Sequence, residues 1–213
     1  MVFWFLFCLV WVPIRLFYPL KVIGKKNLPK NQGYIFACNH FSNLDPIIIN
    51  IQLNKKIRYL AKKELFKNKF MAWIMKQLGS FPVDRDKTEV STVKFALNTL
   101  KNGEVLGVFP EGTRNKSGTN ALQEIKSGTI VFAGKADVPI VPVMFYRKSS
   151  FLKRNYLLIG EPFKVEAENS KKLTEEETEK NKQRLIEEMN KLVKDFEEKK
   201  RERKNKCLKT KKK

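Results

Sequence analysis

Apolar residues recur along the middle of the chain with two different periods, and those periods predict alternating strands and helices. Residues 34–38 form an unbroken apolar run after Asn31, Gln32 and Gly33, the pattern of a buried strand behind a turn. Asp45 and Pro46 then open a helix, with Asp as its cap and Pro in the first turn, and Ile47 to Leu53 continue it. Residues 57–60 read as a strand. Over residues 66–78, Phe66, Phe70, Trp73, Ile74 and Leu78 recur at helical spacing. Residues 80–83 make a brief strand. Val90, Val93, Ala96, Leu97 and Leu100 mark another helix, stopped by Asn102 and Gly103. Residues 105–109, 140–145 and 156–159 read as strands, with a helix near 125–136 between the first two. The alternation predicts an α/β domain, over residues 21–170, whose sheet is largely parallel and flanked by helices.

The two ends follow other rules. Thr174 and Glu177 form a capping box, and Leu185, Ile186, Met189, Leu192, Val193 and Phe196 form an apolar stripe behind it. Residues 171–198 are therefore expected to be an amphipathic helix packed on the domain. At the start, every residue from Val2 to Val12 is apolar, and five of those eleven are Phe or Trp. Pro13 and Arg15 interrupt the run, and Leu16, Phe17, Tyr18 and Leu20 extend it. As a helix the uninterrupted part spans about 17 Å, and a hydrocarbon core of about 30 Å needs roughly 20 residues. No basic residue precedes the run and no small-residue cleavage site follows it, so a signal peptide fits poorly. The reading favours residues 1–20 as a helical, monotopic membrane anchor over a single full span. Lys21, Lys25, Lys26 and Lys30 follow at once and place the remainder on the cytoplasmic face.

Charge narrows the partners. The chain of 213 residues carries 43 Lys and Arg against 22 Asp and Glu, a net charge of +21. A field of that size favours anionic partners, whether nucleic acid, an acidic membrane surface or phosphorylated substrates. Residues 199–213 hold 10 basic side chains and a single acidic one, and read as a frayed or disordered tail. Near anionic lipid each basic group there is worth about 1 kcal/mol. The three cysteines, Cys8, Cys38 and Cys207, have no ligand-like spacing, which argues against a disulfide scaffold or a zinc ribbon. His40 is the only histidine, so imidazole chemistry must use it and a multi-histidine metal site is excluded.

Four segments carry candidate chemistry. In the first, His40 sits just past a strand end and Asp45 at the next helix start. Five residues apart on a continuous helix the two would not meet, but across a strand-to-helix turn Asp45 can fold back onto the imidazole. A carboxylate on one ring nitrogen fixes the tautomer and leaves the other nitrogen free as a base. The second runs from Phe109 to Arg114 after a strand, where ligand-binding loops of open α/β sheets lie. Gly112 there lets the backbone approach a ligand, and Arg114 offers a fork for phosphate oxygens. Glu111 reads either as a charge partner or as an acceptor for a hydroxyl. The third, from Gly79 to Arg85, supplies Arg85 as a second phosphate clamp. The fourth, from Val138 to Val143, is a Pro-punctuated strand that shapes one wall.

In this order the four segments resemble the motif blocks of the glycerolipid acyltransferases, and most of all the bacterial 1-acyl-glycerol-3-phosphate acyltransferase subgroup. The resemblance covers about residues 34–146. It implies transfer of a fatty acyl group from a thioester of coenzyme A or acyl carrier protein to lysophosphatidic acid, giving phosphatidic acid, with no cofactor and no metal. It implies that His40 and Asp45 are the catalytic pair. Glu111, Gly112, Thr113 and Arg114 would match the acceptor-binding block and Arg85 the block before it. Lys62 or Lys63 stands where family members carry a basic residue before Glu-Leu, and Asn115 replaces the Ser common after the third block. Two other readings compete. An acyltransferase of the same superfamily could act on glycerol 3-phosphate or another lysophospholipid. A basic nucleic-acid-binding protein, or a membrane-surface protein without catalysis, would also account for the charge. An apolar aromatic start, the absence of a nucleic-acid-binding motif and the concentration of charge in a tail speak against nucleic acid as a partner.

Overall fold

The computed structural model describes residues 11–84, 90–117, 119–168 and 173–210. Seven strands form one sheet: β1 (Leu20–Ile23), β2 (Tyr34–Cys38), β3 (Ile57–Lys62), β4 (Phe81–Val83), β5 (Val105–Val108), β6 (Ile140–Phe145) and β7 (Asn155–Ile159). Their spatial order is β1-β7-β6-β2-β5-β3-β4. Every neighbouring pair is parallel except β6 with β7. Five helices accompany them: α1 (Asp45–Leu53), α2 (Lys69–Gln77), α3 (Val90–Lys101), α4 (Gly128–Ala136) and α5 (Glu175–Thr210). Residues 11–17 are also helical.

Alternation along the strands builds two cores. In β2, Tyr34, Phe36 and Cys38 face Ile49 and Leu53 of α1, while Ile35 and Ala37 face the opposite layer. That second layer is made by Ala96 and Leu100 of α3, Ile130 and Ala133 of α4, and Leu185 and Met189 of α5. Both faces of β2 are thus covered, and all five of its residues are buried, which is why it reads as an unbroken apolar run. The α/β class and the largely parallel sheet agree with the expectation.

Several boundaries differ for identifiable reasons. Strand β1 was not foreseen, because it lies where the apolar start of the chain meets its first lysines. It is an edge strand that pairs only with β7, and its side chains alternate between half-buried and exposed. The helix expected over residues 66–78 divides into a 3₁₀ turn, Lys63–Phe66, and α2. The Asn68 side chain caps α2 by accepting from the Phe70 and Met71 amides at 3.0 and 3.1 Å. The Thr174 and Glu177 box forms as expected, with Thr174 Oγ1 accepting from the Glu177 amide at 3.1 Å and the Glu177 carboxylate from the Thr174 amide at 2.7 Å. Helix α5 does not stop at residue 198 but continues to Thr210, so residues 199–210 are helical and the expectation of a frayed tail is corrected there. Lys, Arg and Glu are strong helix formers, and the segment propagates from a helix already nucleated and packed.

The expected anchor over residues 1–20 lies half outside the described residues. Among the described residues no helix is long and apolar enough to cross a membrane.

Parallel pairing places the C-terminal ends of β6, β2, β5, β3 and β4 along one edge of the sheet. The functional residues gather there.

Candidate active site

His40 follows β2, the central strand, by two residues. Between them Asn39 extends the β2–β6 pairing with its side chain: Oδ1 accepts from the Phe145 amide at 2.7 Å and Nδ2 donates to the Phe145 carbonyl at 3.1 Å. The chain can therefore leave the sheet at His40 without orphaning the end of β6. His40 is 6% exposed and Asp45 is fully buried.

The turn from His40 to Asp45 is held by one carboxylate oxygen. Asp45 Oδ2 accepts from the Phe41 and Ser42 amides, both at 2.7 Å, and lies 3.0 Å from His40 Nδ1. An oxygen already accepting two N–H groups receives the ring proton as a third, so Nδ1 carries the hydrogen and Nε2 holds the free lone pair. The expectation that Asp45 caps α1 is corrected. The N-cap is Leu44, Asp45 is the first helical residue, and its carboxylate turns back onto the preceding loop. Pro46 sits in the first turn as expected.

The imidazole plane is set by stacking. The Phe109 ring lies 3.9 Å from that of His40, tilted by 16°, and Tyr59 stacks behind Phe109 at 5.5 Å and 10°. This three-ring stack crosses β2, β5 and β3. It requires Gly107, because a Cβ there would meet the Tyr59 ring at 2.3 Å. Sequence reading missed the role of Phe109, since a ring at a strand end looks like any core aromatic.

The 109–115 loop closes over the same residue. Glu111 is 3% exposed. Its Oε1 accepts from the His40 amide at 3.1 Å and its Oε2 from the Gln123 amide at 3.1 Å. Both Glu111 oxygens are thus engaged by main-chain N–H groups, which fixes the carboxylate beside His40. Gly112 has φ +65°, and a Cβ would meet Lys126 at 2.9 Å. The Asn115 amide donates to the His40 carbonyl at 2.6 Å. The Asn115 side chain, 5% exposed, donates to the Ala121 carbonyl at 2.7 Å and accepts from the Ser117 amide at 2.9 Å. Asn115 thus shapes the loop from inside, a role its appearance as a departure from the family pattern did not suggest.

The cationic candidates stand on the rim. Thr113 and Arg114 are exposed, two residues and one residue before Asn115. Lys62 and Lys63 are exposed at the end of β3, and Lys62 pairs with Glu64 at 3.5 Å. Arg85 lies outside the described residues. Below the site, burial first and the Asp45 carboxylate second push the Cys38 thiol well above its ordinary range. Burial does the same to the Tyr59 phenol. Both groups stay neutral beside the carboxylates. No cluster of three or more metal-ligating side chains occurs among the described residues.

Comparison with known proteins identifies the family of the chain. The family model described as Acyltransferase matches residues 19–146. The chain is 38% identical over 149 residues to the 1-acyl-sn-glycerol-3-phosphate acyltransferase of Bacillus subtilis, covering 67% of this chain and 73% of that one. It is 32% identical over 158 residues to the enzyme of the same name from Saccharomyces cerevisiae, of which it covers 52%. Among solved structures, the crystal structure of the 1-acyl-sn-glycerophosphate acyltransferase PlsC from Thermotoga maritima superposes with a TM-score of 0.63 at 28% identity. That match covers 87% of this chain and 73% of PlsC. On the family match across more than half its length, and on its likeness to the Bacillus enzyme, the chain belongs to the acyltransferase family, in the branch of the 1-acyl-sn-glycerol-3-phosphate acyltransferases.

Proposed function

We propose that the protein transfers a fatty acyl group from an acyl thioester, carried by coenzyme A or acyl carrier protein, to the free hydroxyl of 1-acyl-glycerol 3-phosphate. The product is phosphatidic acid, and the reaction belongs to phospholipid synthesis. The observation that carries this reading is the buried His40–Asp45 pair, with Nδ1 held at 3.0 Å and Nε2 left as the base. Nε2 takes the proton of the acceptor hydroxyl as the hydroxyl oxygen attacks the thioester carbonyl. When the tetrahedral intermediate collapses, the C–S bond breaks and the departing sulfur takes that proton from Nε2, which restores the neutral imidazole. The imidazolium formed is stabilised by Asp45, which has no need to accept the proton itself.

Direct transfer between two bound substrates needs no enzyme nucleophile. Orientation of the pair can supply a share of the roughly 7–11 kcal/mol available to well-aligned reactions. Arg114 neighbours the residue whose amide holds the His40 carbonyl, so its fork reaches for a phosphate close to the base. Lys62 or Lys63, at the end of β3, adds charge from the other flank, and Arg85 is assigned to the same phosphate from its place in the third segment. Residues 1–20 hold the enzyme, as a monotopic or single-span anchor, on the cytoplasmic face of the membrane where its acceptor and product reside.

A thin-layer assay of labelled acyl thioester against lysophosphatidate, other lysophospholipids and glycerol 3-phosphate tests the reading. Labelled phosphatidate formed fastest from lysophosphatidate is the expected result. Faster acylation of glycerol 3-phosphate or of a phosphate-free lysolipid would overturn the acceptor assignment.

A further inference from the structure

Four of the large apolar side chains exposed among the described residues lie at the catalytic edge, in two patches. Phe151 and Leu152, 57% and 61% exposed, form the tip of the hairpin between β6 and β7. Phe70 and Trp73, 68% and 42% exposed, stand on the first half of α2. The hairpin leaves β6 at Phe145 and returns antiparallel at Asn155, so its tip projects from the edge that holds His40. Helix α2 follows the C-terminal end of β3 through the turn Lys63–Phe66, so it starts from the same edge. In the sheet, β6 and β7 lie to one side of β2, and β3 and β4 to the other. The two patches therefore flank His40.

Three features select the occupant. The first is conformational. Leu152 has φ +57°, a region that Gly or Asn adopts with far less strain, yet the tip carries a leucine and presents it to solvent. The second is charge. Lys148, Lys153 and Arg154 surround the tip, and Lys67 and Lys69 sit beside Phe70, all exposed. At the same edge Lys200 of α5 lies 5.3 Å over the Tyr146 ring, which brings the basic end of that helix alongside. The third is continuity. The Phe151 ring stacks on Phe17 at 5.0 Å, and the Leu152 amide donates to the Phe17 carbonyl at 2.7 Å. Phe17 ends the helical segment 11–17, on which Val12 and Leu16 are exposed and which prolongs the apolar start of the chain. Apolar tips ringed by Lys and Arg suit an anionic bilayer: the tips enter the headgroup and acyl boundary while the cations stay level with lipid phosphates.

We propose that the hairpin tip at Phe151 and Leu152 and the α2 face at Phe70 and Trp73 both insert into an anionic lipid surface, one on each side of His40. They set the catalytic edge face down on the bilayer. These are two contacts beyond the N-terminal attachment, and they fix orientation where a single anchor would leave the domain free to swing. The proposal rests on the acyl-transfer reading for its purpose and not for its geometry.

The test uses the 213-residue chain with Trp4→Phe and Trp11→Phe, which leaves Trp73 as its only tryptophan. A second protein adds Trp73→Phe and Phe151→Trp. Each is mixed with vesicles of phosphatidylcholine containing phosphatidylglycerol, with and without lipids brominated at shallow or deep chain positions. Both tryptophans should shift to the blue, and both should lose more emission to shallow bromines than to deep ones. High salt should weaken the response. If either tryptophan keeps its emission unshifted and unquenched while the protein sediments with the vesicles, the proposal is overturned, and failure to sediment overturns it as well. A blue shift without lipid, accompanied by a doubled mass in light scattering, would overturn it in favour of a second copy of the chain. None of these readouts depends on acyl transfer, so a failed assay for phosphatidate and a failed insertion are separable results.

Discussion

Asp45 is fully buried and Glu111 is 3% exposed, and the carboxylate oxygens that bond to His40 are also engaged by main-chain amides or backed by ones that are. Arg114, Lys62 and Lys63, a few residues away on the same edge, are exposed, and the ion pair they make among the described residues is the surface pair of Lys62 with Glu64. The difference matches what the proposed reaction asks of each group. A base must present one lone pair in one direction, so its tautomer and ring plane are fixed before substrate arrives. A phosphate-binding cation must reach a mobile lipid headgroup, and a long side chain held only at its root retains that reach. Buried acids around the histidine and exposed bases on the rim are thus two solutions at one site.

The comparison breaks first at Asp45. Asp45→Asn removes the charge that stabilises the imidazolium and presents an amide where the ring proton was received. The turnover number at saturating acceptor is expected to fall about 10²- to 10⁴-fold, with little change in the acceptor Michaelis constant. On the rim the pattern should invert. Arg114→Ala loses a charge-assisted contact worth about 1.5–3 kcal/mol and should raise the acceptor Michaelis constant roughly 10- to 150-fold. Arg114→Lys should rescue only part of this, because it keeps the charge and loses the fork. A phosphate-free acceptor sharpens the point: Arg114→Ala should narrow the gap between it and lysophosphatidate. An unchanged preference would make Arg114 a structural residue.

Glu111→Gln separates frame from rim in another way. One amide oxygen survives as an acceptor and the other position becomes a donor facing an N–H. A loss of about 1.5–3 kcal/mol in denaturant unfolding is expected, with turnover lowered and the acceptor Michaelis constant unmoved. A raised Michaelis constant at undiminished stability would return Glu111 to the acceptor-contacting role.

The smallest effect concerns the ring stack behind His40. The Tyr59 hydroxyl is buried and finds no hydrogen-bond partner among the described residues. Its phenol is held above the ordinary value of 10.0, and the Cys38 thiol above 9.0, both chiefly by burial. The unfolded chain releases these protons at the ordinary values while the folded chain retains them, so the folded state binds more protons and stability falls as pH rises. The decline should begin near pH 9 with Cys38 and steepen above pH 10 with Tyr59. Tyr59→Phe should stay within about 1 kcal/mol of the parent at neutral pH and flatten the steeper part, as read from urea midpoints across the alkaline range.

What could be read in the sequence divides along physical lines. Strands covered on both faces, such as β2 and β6, announce themselves by unbroken apolar runs. Edge strand β1 alternates weakly and lay hidden at the border of the aromatic start. The His40 and Asp45 pair was legible because a single histidine leaves no competitor and a strand-to-helix turn brings the two together. Glu111 was legible as a site residue but not in its role, since only the fold reveals that its oxygens point at the His40 and Gln123 amides. Asn39, Phe109 and Asn115 were legible by position, inside or beside the candidate segments, but not in what they do. Each acts through a long-range contact, Asn39 to Phe145 and both the Phe109 ring and the Asn115 amide to His40, that carries no local pattern. Charge density misled in one place: residues 199–210 repel one another, yet they extend a helix already anchored by Leu185 and Met189.

The central claim, that His40 is the base of an acyl transfer to lysophosphatidate, is tested most directly by His40→Ala. Turnover of labelled acyl thioester to phosphatidate should be measured in detergent micelles, beside circular dichroism and a thermal melt. The account predicts a loss of about 10²- to 10⁴-fold in turnover, with the fold and the sedimentation on vesicles retained. A folded His40→Ala protein that forms phosphatidate at close to the parent rate would contradict it.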